Sequence, residues 1–269
     1  MKNGEDNAQI EERKGWLQHL SQCVKPGKII EFGCGSGFVL EVLSDDHPNS
    51  VIFGVDKSME RLLELSEKEI KNVIPIKADI TQNIFPNSTF DTAIFVVTLH
   101  EIFSYTGREK VGAALTMAHS ILKDAGVLII QDFLKPSSRS VSLGFKNEET
   151  QKRFLRFVDE FQPRKIAFEK IGSGVILDIA DAVEFISKYR SPSEEDWNEE
   201  MYETHFFFTE EEYKEIAQKT RFTIKDVVYL ARSDKRWAEV RKDMEFKFEP
   251  EYRWIQLVLG KGNKKAGLS

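Results

Sequence analysis

The chain has 269 residues, of which 41% are hydrophobic and 30% charged, and its formal net charge is -6. This composition excludes a disordered chain, and the negative charge argues against a broadly basic nucleic-acid surface. The two cysteines, Cys23 and Cys34, are too few for a disulfide framework or a zinc site built from cysteine pairs, and we predict no metal site. The N-terminal residues are polar, and no stretch reaches the length of a transmembrane helix, so we expect a cytoplasmic protein without a membrane partner.

Strands and helices alternate over the first half of the chain. An amphipathic helix is predicted over 8–23. The predicted strands are short apolar runs around 28–32, 51–56, 73–77, 90–97 and 127–133, and helices separate most of them. Strands of this kind, nearly continuous in apolar residues, indicate a parallel sheet that is covered on both faces.

Ligands of such sheets bind beyond the carboxyl ends of the strands. The residues that fall at these ends are Glu31 to Gly37, Asp56, Asp79, Thr98 to Glu101 and Asp132. The sequence therefore predicts that they meet along one edge of the sheet.

The first strand runs into a loop in which Gly33, Gly35 and Gly37 occupy every second position. Glycines there let the backbone turn sharply and let a ligand lie against it, and the helix that follows favours negative charge. A nucleotide-like cofactor and a plain tight turn both fit this loop. Cys34 fits it as a small side chain.

After Pro136 the alternation stops. An amphipathic helix is predicted over 145–161, helical spacing continues over 167–189, and an acidic loop follows. A capping box at 209–212 opens another helix, and strands at 222–231 and 253–260 are expected to pair antiparallel at the sheet edge. We divide the chain into a cofactor-binding core (1–136), a helical insertion that serves as lid and substrate wall (137–205) and a C-terminal part of the same domain (206–269).

Five segments together resemble the motifs of class I S-adenosylmethionine-dependent methyltransferases: EFGCGSG, VDKSME, KADI, FDTAIFVVTLHE and LKDAGVLIIQDF. The resemblance is good over 28–133 and looser to about 260, and Ala125 stands where the family has the first of two glycines. It implies an α/β three-layer sandwich with a mostly parallel, seven-stranded Rossmann-like sheet, an antiparallel last strand and a helical insertion between the fifth and sixth strands. It also implies S-adenosylmethionine as the cofactor.

The resemblance assigns a role to each matching residue. The loop residues Gly33, Cys34, Gly35 and Gly37 would pass close to the methionine moiety and the ribose, and Glu31 would help to hold the ammonium group. Asp56 would accept the ribose hydroxyls, Lys57 and Met59 would flank the adenosine, Asp79 with Ile80 would bind the adenine, and Thr98 would line the methionine side. A dinucleotide fits less well, because Phe38 stands where its G-x-G-x-x-G fingerprint has the third glycine.

The implied reaction is an in-line attack of an acceptor on the sulfonium methyl group. His100 is the first candidate for a general base, followed by Glu101, with Asp132 and His205 as further candidates. The aromatic insertion resembles the lids of small-molecule methyltransferases, which favours a small-molecule acceptor. The alternative is that Phe154, Phe157, Phe161 and Phe168 only form the core of the insertion. RNA or protein as the acceptor, a non-catalytic cofactor-binding module and an oligomer stay open.

Overall fold

The computed structural model describes residues 7–80, 82, 85–231, 234–248 and 253–261. The α-helices are α1 (Asn7–Gln22), α2 (Phe38–Asp46), α3 (Met59–Glu67), α4 (Leu99–Thr106), α5 (Arg108–Ile121), α6 (Glu148–Glu160), α7 (Ile179–Lys188), α8 (Glu194–Tyr202), α9 (Glu210–Lys219) and α10 (Asp234–Asp243). The strands are β1 (Lys28–Phe32), β2 (Val51–Asp56), β3 (Val73–Lys77), β4 (Phe90–Val96), β5 (Leu122–Phe133), β6 (Ser140–Phe145), β7 (Phe168–Ile171), β8 (Gly174–Asp178), β9 (Phe222–Ala231), β10 (Met244–Phe246) and β11 (Arg253–Lys261).

The main sheet has seven strands in the order β3-β2-β1-β4-β5-β11-β9. Strands β1 to β5 are parallel, whereas β11 runs antiparallel to both of its neighbours, β5 and β9. Helices cover the sheet, and the central strands are buried along nearly their whole length, as their continuous apolar sequences predict. The predicted Rossmann-like sandwich with an antiparallel last strand is confirmed.

This topology decides where a ligand can bind. The strand order reverses between β1 and β4, and at such a switch point the loops that leave the two strands diverge and open a crevice. The loop after β1 carries the glycines, and the turn after β4 leads into α4 with Thr98 as its N-cap. The loops after β1 and β4 therefore meet at the expected edge of the sheet, and its use as a binding site stays a prediction.

A second sheet was not anticipated. Strands β10, β6, β8 and β7 pair antiparallel in that order. The prediction of a purely helical insertion is thus incomplete, and the helical spacing expected from Ala167 is wrong as far as Asp178. The short apolar run Gly174–Asp178 fits a strand and a helix equally well in sequence, and only its partners in the sheet decide between them.

Residues from the C-terminal part of the chain also belong to the sheet and the hydrophobic cluster of the insertion. Strand β10, at 244–246, completes the second sheet, and Trp237 and Val240 of α10 pack into the same hydrophobic cluster as the insertion. The division at 205/206 stays a prediction, but the unit built on the insertion reaches across it.

Most of the aromatic residues in the insertion form its own core. Phe154 and Phe157 of α6 are fully buried, Phe185 of α7 packs on both, and Phe161 is buried beside them. The cluster continues to Phe133 at the end of β5 and to Trp254 in β11. The insertion is therefore packed onto the carboxyl end of β5. Among the described residues, no helix is both long and apolar enough to cross a bilayer.

Candidate active site

The loop after β1 is shaped by glycines in left-handed conformations. Gly33, Gly35 and Gly37 have φ values of 72°, 52° and 86°, which side chains with a Cβ rarely adopt. A Cβ on Gly33 would also lie 2.6 Å from Cγ2 of Thr98, and one on Gly37 would collide with Leu65. The backbone conformation favours glycine at all three positions, and close packing also requires it at Gly33 and Gly37.

Glu31 is a buried carboxyl group at the end of β1. It is 1% exposed, and one of its oxygens, Oε2, has no hydrogen-bond partner among the described residues. Burial, with a smaller contribution from the nearby Asp56 carboxylate, raises the pKa of Glu31 to about 8. An unpaired buried carboxyl oxygen is costly unless a ligand supplies a donor, so this position suits a cationic group.

Asp56 ends β2 and ties the glycine loop to the start of α3. Its Oδ2 accepts a hydrogen bond from the Gly35 amide at 2.8 Å, and its Oδ1 accepts one from the Ser58 amide at 2.8 Å. Each carboxylate oxygen has a further lone pair, so the group can still accept ligand hydroxyls.

Thr98 packs against the glycine loop, and Cys34 is part of that loop. Cys34 is buried in a hydrophobic cluster, and burial raises the pKa of its thiol, so it behaves as a small apolar side chain. The Thr98 hydroxyl lies 2.9 Å from the Val96 carbonyl and 3.2 Å from that of Phe32, which places Thr98 against Gly33. Both residues shape the loop, and any contact with a ligand stays a prediction.

The residues predicted around an adenosine lie near the surface. Lys57, Met59 and Asp79 are exposed and Ile80 is half-buried, with Met59 49% exposed. The Lys57 ammonium group lies 5.3 Å from the ring centre of Tyr105 in α4. Exposed apolar and acidic groups in this place can accept an aromatic ring and its amino group, and these roles stay predictions.

His100 lies in the first turn of α4 and is 3% exposed. Its Nδ1 lies 2.9 Å from Oδ1 of Asp132, and its backbone amide donates to Oδ2 of Asp132 at 3.1 Å. Desolvation lowers the pKa of His100, but the charge and hydrogen bond of Asp132 outweigh it, and the net pKa is raised. Asp132 orients the ring. The fold thus brings into contact two residues that the sequence analysis named as separate candidates.

Glu101 and His205 both lie near His100 but differ in their electrostatics. Desolvation raises the pKa of Glu101, and the charge of Glu203 adds to the effect, whereas His100 opposes it. His205 stacks on Phe133 with ring centres 4.4 Å apart and lies edge-to-face with His100 at 5.3 Å. Burial, followed by the charge of Lys188, lowers the pKa of His205 to about 4, so its imidazole is neutral at physiological pH.

Glu203 is the residue at this edge that sequence reasoning missed. It follows α8, and its Oε1 accepts a hydrogen bond from the Tyr105 hydroxyl at 2.9 Å. A potential ligand atom of Glu203 lies within 4.8 Å of counterparts on His100 and His205. Its spacing of two residues from His205 was the available signal, but a lone Glu-x-His pair is too common to interpret.

With the geometry described, comparison with known proteins identifies the family. A model of the methyltransferase domain matches residues 8–227, which is most of the chain. The chain belongs to the methyltransferase-domain family. The predicted cofactor, S-adenosylmethionine, is confirmed at the level of this family and its fold.

The relatives of this methyltransferase-domain protein are distant. It is 28% identical to the demethylmenaquinone methyltransferase of Thermotoga maritima over 116 residues, which are 43% of this chain and 48% of the relative. It is 24% identical to an uncharacterized methyltransferase of Anoxybacillus flavithermus over 136 residues, which are 50% of this chain and 59% of the relative. The chain thus matches about half the length of these curated relatives.

Solved structures show the same fold. The Burkholderia thailandensis 1,6-didemethyltoxoflavin-N1-methyltransferase, solved with its substrate and S-adenosylhomocysteine, superposes with a TM-score of 0.52 at 12% identity. The match covers 94% of this chain and 83% of that one. At such identity the likeness establishes the fold and leaves the acceptor of the methyltransferase-domain protein undefined.

The residues at the sheet edge fit S-adenosylmethionine. The unpaired Glu31 oxygen suits the ammonium group of its methionine moiety, the left-handed glycines add no side chains to the loop, and Asp56 retains acceptor capacity for a ribose. When bound, the cofactor supplies an electrophilic methyl group. The individual binding roles stay predictions.

Proposed function

We propose that this protein transfers a methyl group from S-adenosylmethionine to a small-molecule acceptor. The observation that carries the proposal is the meeting of the glycine loop and Glu31 with a buried His100–Asp132 pair at one edge of the sheet. The loop would hold the methyl donor and α4 would face the acceptor. Much of the catalysis then consists of orientation and exclusion of water, since the donor is already activated.

His100 is the residue that we propose to take a proton from an acceptor hydroxyl. Asp132 binds Nδ1, and no described residue hydrogen-bonds Nε2, which leaves that nitrogen for the acceptor. Glu101 is a second candidate because burial raises its pKa. His205, with its pKa lowered to about 4, is a weak base and would serve to position the acceptor.

A small acceptor is favoured over RNA or protein by the pairing of two arginines of the insertion with neighbouring side chains. Arg156 binds Glu160 and Glu194, and Arg164 binds Asp181 at 2.7 Å and the Thr204 hydroxyl at 2.8 Å. Guanidinium groups engaged in this way hold the insertion together and are not free to contact phosphates. The segment after α8 instead encloses the edge, since the Thr204 amide donates to Ser104 of α4 at 2.8 Å.

The proposal is tested with a methyl donor that carries deuterium on its methyl group. Protein, donor and an extract of the source organism are incubated, and mass spectrometry then follows the label in separated small-molecule, RNA and protein fractions. We expect label in a small molecule, and less of it with the Asp56→Ala variant at a limiting concentration of the donor. Label confined to RNA or protein would contradict the choice of acceptor, and binding of S-adenosylhomocysteine without any labelled product would support a non-catalytic module.

A further inference from the structure

We propose that His100, Glu203 and His205 form a binding site for a divalent transition-metal ion at the carboxyl edge of the sheet. One potential ligand atom from each residue lies within 4.8 Å of the others. Two imidazoles with one carboxylate are a ligand set that zinc and other first-row transition metals use. Metal binding at this site does not depend on the proposed methyl transfer. A role of the ion in catalysis rests on that proposed function.

The three ligands come from two elements that other contacts already hold together. His100 belongs to α4, and Glu203 and His205 belong to the segment that follows α8. The amide of His205 donates to Oε1 of the buried Glu184 at 2.9 Å, and the Tyr105 hydroxyl of α4 reaches Glu203. The fold therefore holds the three residues near one another, and an ion would draw their ligand atoms closer together.

Two of the ligands carry the supporting hydrogen bonds that metal ligands usually have. Metal-binding histidines commonly donate their second ring nitrogen to a carboxylate, which orients the ring and raises its basicity. Asp132 occupies this place on Nδ1 of His100, so Nε2 is left for an ion. The Tyr105 hydroxyl occupies Oε1 of Glu203, so Oε2 is left.

His205 would have to exchange one contact. Its Nδ1 lies 3.3 Å from the Ser187 hydroxyl and its Nε2 lies 3.3 Å from Oε2 of Glu200. Both contacts are long for hydrogen bonds, and Glu200 retains Lys188 at 2.5 Å if His205 turns to an ion. Stacking on Phe133 keeps the plane of the ring in place during the exchange.

The nitrogen ligands define the class of ion. Mg²⁺ and Ca²⁺ prefer oxygen ligands, whereas imidazole suits zinc, iron, cobalt and nickel. Three protein ligands leave coordination positions open for water or for an acceptor oxygen. An ion there would lower the pKa of a bound hydroxyl, and His100 would then act as a ligand while the ion replaces it in activating the acceptor.

The site is tested by metal binding alone, on protein stripped with a chelator. Co²⁺ is titrated while its visible absorption is followed, and Zn²⁺ is titrated by calorimetry. We expect one ion per chain and a visible band from a nitrogen- and oxygen-ligated Co²⁺. Failure to bind either ion at one per chain, or equal binding of Mg²⁺, would overturn the proposal.

Three variants assign the ligands. Glu203→Gln removes the charge at constant size, His205→Phe keeps the stack on Phe133, and His100→Asn keeps a donor towards Asp132. Each should weaken Zn²⁺ binding at least tenfold, whereas the control His119→Asn, which changes a histidine of α5 outside the cluster, should not. Wild-type affinity in both Glu203→Gln and His205→Phe would contradict the site.

Binding of S-adenosylhomocysteine is measured on the same samples. Retained binding shows that a variant is folded, so loss of the ion can be attributed to the missing ligand. If the ion fails to bind while methyl transfer to a small molecule is observed, the metal site is wrong and the proposed function stands.

Discussion

Asp132 holds His100 through two contacts at once, since Oδ1 lies 2.9 Å from the imidazole Nδ1 and Oδ2 accepts the backbone amide at 3.1 Å. The Phe133 amide also donates to Oδ1 at 2.8 Å. The carboxylate is fully buried, so each of these donors depends on it. The end of β5 and the start of α4 are thereby joined by one side chain.

We expect Asp132→Asn to lower the free energy of unfolding by about 1–3 kcal/mol, because the amide cannot accept all three hydrogen bonds and leaves a buried donor unpaired. Urea denaturation with matched wild-type protein measures the change. Asp45→Asn, at an exposed position near the end of α2, serves as the control and should be neutral. An unchanged midpoint in Asp132→Asn would contradict the role of this carboxylate.

Replacing His100 should separate catalysis from cofactor binding. His100→Ala leaves the glycine loop intact, so calorimetry should show wild-type affinity for S-adenosylhomocysteine. Methyl transfer to the labelled product should fall by about 10²–10⁴-fold if His100 takes the proton. Unchanged turnover in His100→Ala would show that His100 takes no part in the reaction. If wild-type protein from which metal has been removed loses as much turnover as the variant, the result would indicate that His100 acts as a metal ligand.

Asp56 should control the affinity for the cofactor. Asp56→Ala removes the acceptor proposed for the ribose and also frees the Gly35 amide, so we expect binding of S-adenosylhomocysteine to weaken at least tenfold. Calorimetric titration measures the change, with Asp45→Ala as the matched control. Unchanged affinity would show that the ribose lies elsewhere.

Glu31 should make cofactor binding dependent on pH. Its pKa is about 8 in the folded protein, so it is mostly protonated at pH 7, whereas pairing with an ammonium group requires the carboxylate. Binding should therefore strengthen as pH rises towards 8, by up to about tenfold per pH unit, and release a proton. Titrations in buffers of different ionisation enthalpy measure the released proton, and Glu31→Gln should abolish it.

Glu31 should also make the stability of the ligand-free protein depend on pH. The pKa of Glu31 in the folded protein lies above its ordinary value of 4.5. The contribution of the protonated group to the free energy of unfolding is therefore fully present below pH 4.5, and it is lost as the pH rises through 8. The wild-type protein should lose stability relative to Glu31→Gln between these values. A constant difference in unfolding free energy between pH 5 and 8.5 would contradict the raised pKa.

Glu184 should be among the most sensitive positions of the insertion. It is fully buried, lies 3.4 Å from Lys188, and accepts from the Thr204 hydroxyl and the His205 amide at 2.9 Å each. Glu184→Gln should lower the unfolding free energy by about 3–5 kcal/mol, because it leaves buried charge poorly compensated. Urea denaturation measures this, and the exposed Glu195→Gln on α8 should change it by less than about 0.5 kcal/mol.

Local sequence was sufficient for the cofactor half of the molecule. Apolar runs such as Ile29–Ile30 before Glu31, the alternate glycines and the acids at strand ends follow from chain-local rules about burial, backbone conformation and parallel sheets. These rules predicted the parallel part of the main sheet, whereas the family followed from the resemblance of five motifs to class I methyltransferases. The binding roles of Glu31, Asp56 and Asp79 follow from the same motifs and stay predictions.

Only the tertiary structure decided how the insertion and the segment after α8 are arranged. Whether Gly174–Asp178 is a strand depends on its pairing with β6, and the pairing of Phe145 with Met244 joins residues about one hundred positions apart. Glu203 lies next to α4 because the segment after α8 contacts that helix through the Tyr105 and Ser104 hydroxyls. Such contacts join residues far apart in the chain, and no local propensity predicts them. The sequence by itself therefore determined the parallel strands and the glycine loop, and only the tertiary structure decided which residues face that loop.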